Sequence, residues 1–187
     1  MNTKKLLSII LIVIGLSISS STKAQSTNWR IDYHLSEMSG DFGQGVMIET
    51  PSFLKDYLTF KVRGNVHYLN YDFEGTNTWT EYFTATAGIS STPTMISKSI
   101  ELYGEGGVIM VFPNSDFSNS DQEFGGYGLF GFNFLFAPSF SYFIEAGGVG
   151  TGSVAELSDN ERIYANGFFI NVGFKMHFVK LGVRSKE

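Results

Sequence analysis

From Phe168 to Phe178 the chain alternates. Phe168, Ile170, Val172, Phe174, Met176 and Phe178 fall on one side, and Asn171, Gly173, Lys175 and His177, with Phe169, fall on the other. Side chains of a β-strand point alternately to opposite faces, so the segment predicts a strand with one face against something oily and one against something polar. The same period recurs upstream. Trp29, Ile31, Tyr33 and Leu35 alternate with Arg30, Asp32, His34 and Ser36, and Leu58, Phe60, Val62, Val66 and Tyr68 with Thr59, Lys61, Arg63, Asn65 and His67. Further on, Ile100, Leu102, Val108, Met110 and Phe112 oppose Glu101, Tyr103 and Glu105. Phe130, Phe132, Phe134 and Phe136 oppose Gly131 and Asn133, and Tyr142 and Ile144 turn away from Glu145.

Proline removes a ladder donor, so Pro51, Pro93, Pro113 and Pro138 should mark connections. With the Gly, Asn, Asp and Ser clusters they divide the chain into eight extended segments, near 28 to 38, 44 to 51, 56 to 71, 79 to 91, 97 to 112, 125 to 137, 141 to 155 and 162 to 178. The connections at Pro51, Pro93 and Pro138 read as short. Those at Ser39 to Gly43, Asp72 to Thr78, Pro113 to Phe124 and Glu156 to Glu161 read as more polar and often longer, with the third the longest. Short turns at one end, longer loops at the other and an even strand count suit an outer-membrane barrel with both chain ends in the periplasm.

The first residues change the compartment. Lys4 and Lys5 precede an apolar run, Leu6 to Ile18, of roughly 13 residues, which suits an export signal and falls short of the roughly 20 that span a bilayer as a helix. Thr22 and Ala24 supply small residues before a cut, so residues 1–24 are expected to be a leader and residues 25–187 the barrel domain. The leader holds Lys4, Lys5 and Lys23 and no acid, so its loss moves the formal charge from −5 to −8. A mature chain this acidic is a poor candidate for nucleic acid. It has no cysteine, which leaves packing and hydrogen bonds to hold it and excludes a lipid-modified cysteine.

Phe accounts for 18 residues, and Trp29, Tyr57, Tyr71, Trp79, Tyr127 and Tyr164 sit where interfacial girdles would fall. A secreted sandwich or lipocalin-like barrel would have to bury nearly every Phe in one core. The fold expected is all-β, an eight-stranded antiparallel up-and-down transmembrane barrel in the outer membrane.

On these features the chain resembles the small eight-stranded outer-membrane barrels of the OmpA and OmpX type, especially those common in Bacteroidota. The Phe143-Ile144-Glu145-Ala146-Gly147-Gly148 stretch and the alternating segment ending in Phe178 carry the likeness. The latter is similar to the signal by which the outer-membrane assembly machinery recognises its clients, which implies that machinery as a partner, beside outer-membrane lipid and lipopolysaccharide. Val179 to Glu187 depart from the pattern, because Val179, Leu181 and Val183 switch parity.

The polar faces converge on a candidate lumen network of Arg30, Asp32, His34, Lys61, Arg63, His67, Glu101, Glu105, Glu145, Lys175 and His177, with four cations against four carboxylates. An eight-stranded barrel has an interior just wide enough for side chains to fill, so the expectation is a structural plug. A narrow channel is the alternative. His34 and His177 lie on strands that must be neighbours, yet a metal wants three or four converging ligands, and no metal or other cofactor is expected. His34 and Ser36 share a face as a base and a nucleophile would, the arrangement of a lipid A-modifying enzyme. Such enzymes act from the lipid-exposed wall, whereas the pattern turns both inward, and Glu37 stands where the resembling motif has Asn. A non-enzymatic protein serving envelope integrity or surface interaction is therefore expected. Its acidic outer loops, with Asp116, Asp121, Glu123, Glu156, Asp159 and Glu161, read as solvated rather than as calcium loops.

Overall fold

A computed structural model describes residues 28–137 and 139–178. The expected leader with its cut after Ala24, Pro138, and the tail Val179 to Glu187 lie outside the described residues. Nine strands follow one another: β1 (Arg30–Met38), β2 (Asp41–Glu49), β3 (Leu58–Phe73), β4 (Thr76–Ser91), β5 (Thr94–Ser97), β6 (Ile100–Phe112), β7 (Glu123–Ala137), β8 (Phe140–Gly150) and β9 (Gly167–His177). Every pairing is antiparallel. The ring runs β1, β2, β3, β4, β6, β7, β8, β9 and closes where β9 meets β1, so eight strands form a barrel without a free edge. The short β5 hooks back onto the start of β6 after Pro93, where a single uninterrupted strand from residue 97 had been expected.

Alternation holds around the ring. In β1 and β2 the inward positions are buried and nearly all the outward ones exposed, one after another. Paired residues form outward rows that run across the strands and climb around the barrel. The row beside the Ser39-Gly40 turn joins Glu37, Phe42, Tyr68 and Glu81; the next joins Leu35, Gln44, Val66, Phe83 and Phe112. Below them lie Tyr33, Val46, Gly64, Ala85 and Met110, then Ile31, Ile48, Val62, Ala87 and Val108. From Leu35 down to Trp29 the outer wall is apolar except at Gln44. At about 3.3 Å per residue that belt is roughly 20 Å of strand, which at the usual strand tilt of about 35–45° rises about 15 Å along the barrel axis.

Connections differ from expectation at both ends. Two of the outer loops shrink to two-residue turns, Ser39-Gly40 and Glu74-Gly75, with positive φ at all four residues. That is the turn geometry whose twist matches a hairpin, and it needs glycine because an L side chain is strained there. The connection from β2 to β3, expected to be short, spans 50–57 and carries three successive left-handed residues, Leu54, Lys55 and Asp56. The last outer loop, not the one after Pro113, is the longest, because β8 stops at Gly150 and β9 starts at Gly167. Between them Val154 and Ile163 make one isolated bridge, and positive φ at Glu161 and Ala165 bends the chain away from the ladder.

The expected girdle divides. Trp29, Tyr57 and Trp79 are exposed on the outer wall or rim, but Tyr71, Tyr127 and Tyr164 are buried inside. Tyr71 and Tyr127 sit at inward positions of β3 and β7, and each hydroxyl finds a partner there: Tyr127 donates to Glu105, and Tyr71 lies 3.4 Å from the Thr80 hydroxyl.

Candidate functional site: the filled barrel interior

All inward polar side chains come from strands whose other face is the apolar wall, so the interior is built by the same alternation that makes the belt. Towards the end where β1 begins, Arg30 donates to Glu49 at 2.9 Å, and His177 Nε2 lies 3.0 Å from the Ser141 hydroxyl. Lys175 is fully buried, 3.6 Å from Glu49 and 3.4 Å from the Asn133 amide oxygen, while Asn133 donates to Glu101 at 3.0 Å. Lys61 donates to Glu105 at 2.8 Å and lies 4.0 Å from the centre of the Tyr103 ring, a cation over an aromatic face.

The centre of the network is Glu145. Arg63 Nη2 donates to its two oxygens at 3.1 and 3.0 Å, the Tyr103 hydroxyl donates at 2.7 Å and Asn171 at 2.9 Å. Arg63 also lies 3.8 Å from Glu105. On the ring β3 and β8 are diametrically opposite, so the Arg63–Glu145 pair spans the lumen. Tyr103 can cross because its partner on β7 is Gly131, where a Cβ would overlap the ring.

Above this layer Met38, Ile109, Leu129, Val149 and Phe169 turn inward and are buried. Between them and the polar layer remains a cavity of about 20 Å³, room for about one water molecule. The outer mouth is closed by aromatic rings. Phe117, carried by the loop between β6 and β7, is fully buried and meets Tyr71, Tyr82 and Tyr164 edge-on at 5.7, 6.3 and 5.1 Å.

The outer loops hold this lid down. Arg162 donates to Asp41 at 2.8 Å and to the Asn70 carbonyl, and Tyr82 donates to the other Asp41 oxygen at 2.8 Å. The Leu157 N–H donates to the Phe117 carbonyl at 3.1 Å, and Asp159 accepts from the Gly75 N–H at 3.1 Å. Glu156 accepts from the Ser118 hydroxyl and the Asn119 N–H at 3.0 and 3.2 Å. Its slight burial works against ionisation, but those hydrogen bonds win and hold its carboxyl below the ordinary carboxylate range. Glu156 and Asp159 thus tie loops together while staying exposed to solvent.

No family model matches the chain, and no curated protein matches it. Solved structures do. The N-terminal β-barrel domain of OprF from Pseudomonas aeruginosa aligns with a TM-score of 0.57 at 11% identity, over 82% of this chain and 98% of that one. The outer membrane protein OprG from the same organism gives 0.52 at 11% identity, over 86% and 100%. The Yersinia pestis outer membrane protein Ail, in a phospholipid nanodisc, gives 0.51 at 13% identity, over 81% and 99%. The fold is that of a small outer-membrane β-barrel.

Within that barrel the eleven residues read from the sequence all face inward, and ten of them make side-chain hydrogen bonds or ion pairs: Arg30, Asp32, His34, Lys61, Arg63, Glu101, Glu105, Glu145, Lys175 and His177. His67 stands apart. It stacks on Tyr82 at 5.3 Å, and neither ring nitrogen has a hydrogen-bond partner among the described residues. His34 does not approach His177, because His177 pairs in register with Arg30 while His34 pairs with Gly173. Its nitrogens lie instead 2.9 Å from Asp32 and 2.8 Å from the Asn65 amide oxygen, so neither serves Ser36. Among the described residues no three His, Cys, Asp or Glu side chains converge as metal ligands.

Glu49 was missed. It is fully buried and adds a fifth carboxylate to the four expected, against the four cations. The signal was present in the sequence, since Glu49 shares parity with Asp41, Gly43, Gly45 and Met47, opposite Phe42, Gln44, Val46 and Ile48. Tyr103 and Tyr127, as hydroxyl donors to Glu145 and Glu105, are the other members that charge counting alone does not find.

Proposed function

We propose that the chain is exported, loses residues 1–24, and resides in the outer membrane as a non-enzymatic barrel. Its lumen is plugged, and its work in envelope integrity or surface interaction is done through its outer loops. The observation that supports this reading is what lies in series along the barrel axis: a cross-barrel ion-pair layer, an apolar collar, a cavity of about 20 Å³ and packed aromatic rings. A charge taken from water is tolerated chiefly when paired and hydrogen-bonded, and the network supplies those partners. A conducting path would need them apart.

The test is reconstitution of the full chain. Heating before gel electrophoresis should shift the mobility of the membrane-extracted protein, and planar-bilayer recordings should show no discrete steps. Regular steps in the folded protein would overturn the plug, and recovery as a soluble periplasmic protein would overturn the barrel reading itself. A lipid A-modifying role finds no support in the His34 and Ser36 pair, since both side chains are buried inside the wall rather than turned to lipid.

A further inference from the structure

Above the closed ring, β3 and β4 run on as a two-stranded ribbon. β2 pairs with β3 only as far as Tyr68, and β6 pairs with β4 only as far as Phe83, while β3 and β4 stay paired up to Phe73 and Thr76. The two edges of the ribbon differ. Along β3 the chain covers its own edge: the Asp159 N–H donates to the Asp72 carbonyl at 3.0 Å, and Arg162 donates to the Asn70 carbonyl. Along β4, Thr76 to Glu81 stand past Phe83, the top of the apolar belt on this strand, for roughly 20 Å of strand. Among the described residues no backbone group outside β3 bonds to that stretch, and the Thr78 hydroxyl, 3.5 Å from the Thr76 carbonyl, is the only side chain that does. In an antiparallel pair every second residue turns its N–H and C=O away from the partner strand, so these groups face outward along the β4 edge. Such an edge is a template for a further strand, and proteins blunt it with proline, lysine or a bulge. Residues 76–81, Thr-Asn-Thr-Trp-Thr-Glu, contain neither proline nor lysine, and their ladder with β3 runs without a register shift.

Charge chooses the partner. Exposed around this edge are Asp72, Glu74 and Glu81 of the ribbon, and Asp116 and Asp121 of the loop that leaves β6, the strand next to β4. Residues 68–82 and 113–124 hold no Lys or Arg. Trp79 is exposed two positions from Glu81 on the same outward face. A strand added here would set a cation across from Glu81 and within reach of the Trp79 ring. Resting on the surface-interaction reading above, we propose that the edge from Thr76 to Glu81 takes an extended cationic peptide segment from outside the cell as an added strand. Its main chain pairs with β4, which gives affinity, and alternate Arg or Lys side chains lie beside Glu81 and Trp79, which gives selectivity.

The test uses the full protein folded in nanodiscs, with amide exchange and amide shifts of residues 76–81 read by NMR. The probe is a capped peptide of about eight alternating Arg and Thr residues, beside the same peptide methylated at every backbone nitrogen and a Glu and Thr counterpart. The Arg peptide should slow exchange of the outward amides of residues 76–81 at least about tenfold at saturation. Methylation should weaken binding at least about tenfold, the Glu peptide should leave the exchange unchanged, and Glu81→Gln should weaken the Arg peptide about threefold. Equal binding of the methylated peptide would mean attraction by charge alone and overturn the proposal. Protection that falls outside residues 76–81, no protection at about 1 mM peptide, or protection that rises with protein concentration without peptide, as a second copy on the edge would give, would each overturn it as well. The heat-dependent gel shift is read on the same samples. If it is present and no peptide binds, only the edge assignment fails; if it is absent, the barrel reading fails with it.

Discussion

Replacing Glu145 with leucine should be among the most damaging single changes in this barrel. Glu145 is fully buried and receives Arg63 twice, Tyr103 and Asn171. Its loss leaves a buried guanidinium whose remaining partner, Glu105, is 3.8 Å away and already shared with Lys61. Breaking a buried pair by removing one partner costs about 3–5 kcal/mol, and two stranded donors add ~1–3 kcal/mol each before relaxation. These terms are not additive, so about 4–6 kcal/mol is expected. The double variant Arg63→Met with Glu145→Leu removes the unpaired charge as well and should recover about half of that loss, because an apolar pair of similar size is often close to neutral. Urea unfolding of the protein in lipid vesicles, followed by the fluorescence of Trp29 and Trp79, gives both numbers. A single variant that loses less than ~1 kcal/mol, or a double variant worse than the single, would refute the account of a charge kept in place by its partners.

Two other outcomes follow from the lid. Phe117→Ala removes a fully buried ring that touches three others, a change worth about 3–5 kcal/mol in a core. Here the loss should stay local, so amide exchange should rise in residues 114–118 and 155–164 while the strands keep their protection; loss of strand protection would contradict it. For Glu156 the sign is that of a depressed carboxyl: its hydrogen bonds to Ser118 and Asn119 persist above the ordinary carboxylate range and fail as pH falls through its lowered value. The Asn119 amide resonance should therefore titrate below that range in wild type and lose the step in Glu156→Gln. A step at the ordinary value would show that those hydrogen bonds do not hold the carboxyl.

Much of this fold was legible because alternation is a property of the strand itself. β1, β3 and β9 needed only the period of two, and Lys61, Arg63 and Lys175 went inward with it. Parity would also have placed Glu49, and it would have turned Tyr71 and Tyr127 inward, since they share a face with Leu69 and Leu129. Those two tyrosines were drawn to the girdle by their nearness to strand ends, a weaker signal than facing. What could not be read was set by backbone conformation outside the ladders. Val154, Ile163 and Tyr164 look like strand residues, yet left-handed turns at Glu161 and Ala165 fold them over the mouth. The pairing of Arg63 with Glu145 was equally hidden, because it depends on which strands end up diametrically opposed.

That opposition bears on how the barrel is made. Arg63 and Glu145 are 82 residues apart in sequence and sit on strands that meet across the lumen only once β9 has zipped to β1. Until that seam shuts, each charge faces an open sheet and gains nothing from the other. The pair is thus absent from early assembly and present in the closed barrel, so its strength enters the rate of opening rather than the rate of formation. A weakened crossbar would give a protein that inserts at a normal pace and then fails to stay shut, a defect of lifetime rather than of biogenesis.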